Sequence, residues 1–66
     1  MAHELTDDLN EWVVTLRDGV EVRLLAHAYS EEGSEFVFSA LMRGKPNYEI
    51  HLARIPRHIV ASVFNA

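Results

Sequence analysis

Apolar residues recur at every second position from Trp12 through Val14 to Leu16, and again from Val20 through Val22 to Leu24. Only Arg17-Asp18-Gly19 interrupts them, which is the pattern of two half-buried strands joined by a tight turn. A three-residue loop, with Gly19 in the left-handed conformation where a Cβ would clash, sets Leu16 against Val20, Val14 against Val22 and Trp12 against Leu24. One face of the hairpin is then wholly apolar, and Val13, Thr15, Glu21 and Arg23 share the other. A two-residue Asp-Gly turn would oppose Leu16 to Glu21 and Val14 to Arg23, because a one-residue slip exchanges the two faces. The three-residue loop is the expectation.

The alternation continues through Ala26 and Ala28, so the second strand runs from Val20 toward Tyr29. Leu25, His27 and Tyr29 make its outer face semi-apolar, as expected of a long bent strand shared between two sheets. Ser30-Glu31-Glu32-Gly33-Ser34 reads as a loop. Residues 35–42 form the next strand, with Phe36, Phe38, Ala40 and Met42 on one face and Val37, Ser39 and Leu41 on the other. A strand apolar on both faces is central, wrapped in a closed barrel, or covered by another subunit. Arg43-Gly44-Lys45-Pro46-Asn47 turns the chain, and in 48–54 Tyr48, Ile50 and Leu52 face inward against Glu49, His51 and Ala53.

Pro56 lacks a ladder donor and stops that strand, which suits a single tight helical turn over Arg57, His58 and Ile59. The C-terminal residues fit a helix, with Ile59, Val60, Val63 and Phe64 on one face, or a short closing strand; their β-branched side chains favour the strand. At the other end, residues 1–4 are expected to be disordered. Thr6 is placed to cap a short helix with Asp7 and Asp8 in its first turn, and Leu5 and Leu9 would lid a barrel end. Together these elements predict an all-β domain over residues 1–66: a small five-stranded antiparallel barrel with a short N-terminal helix.

Sixty-six residues bury only about 60% of the unfolded surface and leave a stability of ~3–5 kcal/mol. Without cysteine, neither disulfides nor a thiolate zinc site can staple so small a core. No apolar run approaches the roughly 20 residues of a membrane span, and Met1-Ala2-His3-Glu4-Leu5 lacks the regions of a signal peptide, so a cytoplasmic protein is expected. The net charge of −4 is unevenly spread: residues 1–35 carry nine acids against Arg17 and Arg23, and residues 36–66 carry Arg43, Lys45, Arg54 and Arg57 against Glu49 alone. Such asymmetry marks a basic binding face, acidic-to-basic contact between subunits, or solvated charge without a partner.

Ile55-Pro56 followed by Val60 and Val63 is similar in spacing to the end of SH3-type barrels, where Ile-Pro opens a short helical turn before the last strand. The order of elements resembles that of bacterial Sm-like RNA chaperones. Leu16-Arg17-Asp18-Gly19-Val20-Glu21-Val22 resembles their Leu-x-Asn/Asp-Gly-x-x-Leu hairpin, and the run from Arg57-His58 to Phe64 resembles their last strand. The resemblance implies a bent five-stranded barrel over residues 5–64, and in the Sm-like case an RNA-binding ring of about six subunits. Arg57-His58 stands where that family has a Lys-His pair, whereas Thr15 and Glu21 stand where its adenine-binding face has an aromatic residue and a lysine.

Catalytic signatures are missing from the sequence. Gly19, Gly33 and Gly44 stand singly in turns, no phosphate loop or nucleophile elbow occurs, and Ser34, Ser39 and Ser62 lack any activating neighbour. His27 and His51, with Glu49 or Glu35, have zinc-compatible chemistry but match no ligand spacing. The reading is therefore a non-enzymatic module without metal or cofactor. A protein partner, including a second copy of the chain, would use the semi-apolar face of Leu25, His27, Tyr29, Val37 and Leu41. The alternative is nucleic acid, held by Arg43, Lys45, Arg54, Arg57 and His58 with Tyr48 stacking a base.

Overall fold

The computed structural model describes residues 5–66. Strands β1 (Asn10–Leu16) and β2 (Glu21–Ala26) pair with Trp12 opposite Leu24 and Val14 opposite Val22, the register that the apolar face requires. In the turn, the Leu16 amide donates to the Val20 carbonyl at 2.8 Å and the Gly19 amide to the Leu16 carbonyl at 2.9 Å. Gly19 has φ of +92°, and the Asp18 carboxylate accepts the Val20 amide at 3.0 Å. Since no heavy atom would meet a Cβ at Gly19 within 4 Å, Gly19→Ala tests backbone strain alone. We expect it to cost about 1–2 kcal/mol, read as a lower urea midpoint with unchanged slope.

After Ala26 the chain turns a corner at His27 and continues as β3 (Ala28–Glu32), β4 (Glu35–Met42) and β5 (Tyr48–Pro56). A 3-10 turn, Arg57–Ile59, then leads into β6 (Val60–Asn65), so the final segment is turn and strand rather than helix. Every strand pairing is antiparallel. The strands form two three-stranded sheets, β2-β1-β6 and β3-β4-β5. Val14, Ala26, Phe38 and Val60 make the core between them, with Trp12, Leu16, Leu24, Phe36 and Ile55 packed around.

Four expectations are corrected. The bent second strand is present but divides at His27, giving six strands rather than five. β6 then pairs only with β1, and β3 only with β4, so the sheets do not close into a barrel. There is also no helix in the described part of the N-terminal segment: Leu5 bridges Met42, and the Thr6 amide and hydroxyl both donate to the Leu41 carbonyl, at 3.1 and 3.2 Å. β4 runs past the point where β3 begins, and its open carbonyls hold this segment extended, whereas so short a helix would have to bear the whole cost of nucleation. The disorder expected for residues 1–4 lies outside the described residues.

The fourth correction concerns β5. Phe38 pairs with Ala53 and the next residue, Ser39, with His51, so Leu52 is the extra residue of a β-bulge. The inward alternation thus passes from Ile50 to Ala53 and Ile55, both packed on the core, and Leu52 is left 43% exposed. On the opposite sides of the central strands, Val13 and Val37 are each only 1% exposed. Their cross-strand neighbours are long, Arg23 and Phe64 beside Val13 and Arg54 beside Val37, and such stems shelter apolar surface. Among the described residues no helix is long and apolar enough to cross a membrane.

Candidate interaction surfaces

The five residues of the expected apolar face do not share one surface. Leu25 is 56% exposed on β2 and Leu41 is 41% exposed on β4, but Val37 is buried. Tyr29 stays 37% exposed but lies on the inner face of its sheet: it pairs with Phe38, and its ring meets Trp12 edge-on at 5.1 Å and Phe36 at 5.7 Å. The reason is a phase break at the corner. Ala26 and Tyr29 both face inward although three positions apart, so the alternation reverses across His27.

His27 itself bonds through both ring nitrogens, Nδ1 accepting the Leu41 amide and Nε2 donating to the Asp7 carbonyl, each at 2.7 Å. It ties the N-terminal segment to β4. Leu41 pairs with Glu49 on the outer face of the β4–β5 hairpin, and on the opposite face apolar residues that the alternation had assigned to the interior are exposed. Tyr48 and Ile50, paired with Met42 and Ala40, are exposed near the free end of the β4–β5 hairpin, as is Leu52 at the bulge. The hairpin outruns the opposite sheet there, and nothing local to the sequence marks how far a sheet is covered.

Most of the basic set is occupied within the molecule. The Arg43 guanidinium donates through Nε to the Leu5 carbonyl at 3.2 Å. Arg54 pairs with Glu35 at 3.4 Å and contacts His51 Nδ1 at 3.1 Å, and Arg57 pairs with Glu31 at 3.6 Å. His58 receives at its carbonyl the Nε–H of Arg17, at 2.8 Å. Lys45 is exposed in the turn, and Tyr48 lies against Gly44, where a Cβ would come 3.0 Å from its ring. The acidic first half and basic second half thus meet partly as intramolecular pairs, each too exposed to add much stability.

A groove of about 530 Å³ opens between β6 and the interior faces of β3 and β4, with Tyr29 and Phe36 as its aromatic wall and Arg17 and Arg57 at its rim. Such a volume is within the range of ligand clefts. Sequence reasoning missed it because it exists only where the two sheets fail to close. Among the described residues no three His, Cys, Asp or Glu side chains are grouped to hold a metal ion. Compared with known proteins, the chain matches no protein-family model, no curated protein and no solved structure.

Proposed function

We propose that the chain is a non-enzymatic protein-interaction module that self-associates through the apolar end of the β4–β5 hairpin, where Tyr48 and Ile50 share one face. One observation carries this reading: Tyr48 and Ile50 are both exposed on one face of a hairpin in a 66-residue chain, with Leu52 exposed at the bulge in the same strand. Clustered exposed apolar side chains of this kind mark association surfaces, and covering them adds stability that a small core cannot supply alone. The nucleic-acid alternative has less support, because Arg43 donates to the Leu5 carbonyl and Arg54 is held by both Glu35 and His51.

Light scattering after size exclusion, at low and high salt, tests the proposal. The expected mass exceeds that of a monomer at both, since apolar contact resists screening, and Ile50→Asp is expected to return the chain to a monomer with unchanged circular dichroism. A wild-type monomer would overturn self-association; an unchanged mass in Ile50→Asp would show that the surface lies elsewhere. Binding to RNA that weakens steeply with salt would instead favour the nucleic-acid reading.

A further inference from the structure

Four consecutive residues of β6, 60–63, line the groove between the sheets. Successive side chains of a strand point to opposite faces, so only the edge of the strand can present all four to one cavity. That edge has no strand on it, since β6 pairs with β1 alone. The Val60 amide is taken by the Arg57 carbonyl, so the open backbone edge is that of 61–63, with the rings of Tyr29 and Phe36 beside it. This is the combination used when an extended chain adds to a sheet, the backbone supplying hydrogen bonds and alternate side chains entering the wall.

The rim decides which chain would fit. Among the lining residues, Arg17 and Arg57 stand against the single acid Glu31, on a protein whose net charge is −4. The Nε bond from Arg17 to the His58 carbonyl fixes one guanidinium beside the groove. The other is held only by the exposed 3.6 Å pair of Arg57 with Glu31, a contact weak enough for an incoming carboxylate to replace.

We infer that the groove takes an extended acidic segment of a partner protein, which adds to the outer edge of β6, lays apolar side chains on Tyr29 and Phe36, and sets carboxylates against Arg17 and Arg57. A nucleic acid would leave the amide ladder of β6 unused. The inference does not depend on the β4–β5 hairpin, so it stands or falls separately from self-association through Tyr48 and Ile50.

The probe is the peptide acetyl-Val-Glu-Val-Glu-Val-amide, titrated into the whole protein and followed by amide chemical shifts and by the fluorescence of Trp12, whose ring touches Tyr29. Shifts are expected at residues 60–63 and at Tyr29, with a change in Trp12 emission. The lysine counterpart, acetyl-Val-Lys-Val-Lys-Val-amide, and binding of the acidic peptide to Arg57→Glu should each be weaker by about tenfold. Two further acidic peptides, N-methylated on one or the other set of alternate residues, leave the protein intact and test the ladder; one of the two should not bind. The proposal is overturned by any of four results: no shift at 60–63, equal binding of the lysine peptide, equal binding of both methylated peptides, or displacement by oligouridylate. Concentration-dependent shifts at 60–63 without peptide would also overturn it, by giving the groove to a second copy of the chain.

Discussion

Phe38→Ala is expected to leave the chain unfolded in dilute solution at room temperature. Phe38 is fully buried at the centre of β4, joins the core with Val14, Ala26 and Val60, and packs against the rings of Trp12 and Tyr29. Truncating a buried phenylalanine costs about 3–5 kcal/mol through lost transfer energy and the cavity left behind. A domain of this length has a total stability of only ~3–5 kcal/mol, so the loss consumes the whole margin. The cavity cannot collapse cheaply, because β4 is the middle strand of its sheet, fixed by β3 on one side and β5 on the other. The measurement is circular dichroism with urea titration, in which the variant should show no folded baseline. Phe38→Leu, which keeps most of the volume, should remain folded with a lower midpoint. A cooperative transition in Phe38→Ala close to that of the wild type would mean that the two sheets are held together by something other than this core.

The hairpin of β1 and β2 was fully legible because every determinant is local. Arg17-Asp18-Gly19 specifies the turn, and the apolar positions on either side admit only one register without burying Glu21 and Arg23. For the final segment the β-branched Val60 and Val63 favoured a strand after Pro56, while the shared helical face of Ile59, Val60, Val63 and Phe64 left a helix open. Beyond these, the architecture turns on two single-residue events that a period-two reading passes over. At His27 the alternation reverses as the chain moves between sheets, and at Leu52 a bulge shifts it again. Each event displaced an apolar residue from its expected place: Tyr29 joined the inner face, and Leu52 was left unpaired and exposed. Both depend on how the sheets bend around a shared core, which is a property of the assembled molecule.

Composition showed how the charges divide along the chain but not which would meet. Arg54 and Glu35 are 19 positions apart, and adjacent strands bring them within 3.4 Å. Arg43 reaches the Leu5 carbonyl across 38 positions, and that contact replaces the helix anticipated from Thr6, Asp7 and Asp8. The helix reading rested on capping chemistry, which is sound for an isolated segment. Here the open end of β4 supplied stronger competition, because unpaired strand carbonyls and amides need partners wherever they are found.

That competition makes His27 the second critical position, and His27→Ala is expected to cost about 2 kcal/mol, the sum of two hydrogen bonds at typical net strength. The His27 amide donates to Ser39 at 2.9 Å, as a regular ladder residue would; its ring then takes over the ladder, accepting the Leu41 amide at 2.7 Å. The opposite nitrogen donates to the Asp7 carbonyl, so the tautomer with its proton on Nε2 matches both partners. Removing the ring leaves the Leu41 amide without its acceptor and cuts one tie to the segment that Thr6 and Arg43 also hold. Amide exchange should therefore accelerate at Thr6 and Leu41 while the β1–β2 hairpin stays protected. His27→Phe separates the two possible roles of the ring, since it keeps the bulk and loses both nitrogens. If the phenylalanine variant is as unstable as the alanine variant, hydrogen bonding holds this corner; if it retains wild-type stability, the ring acts by filling space and the ladder at Leu41 closes without it.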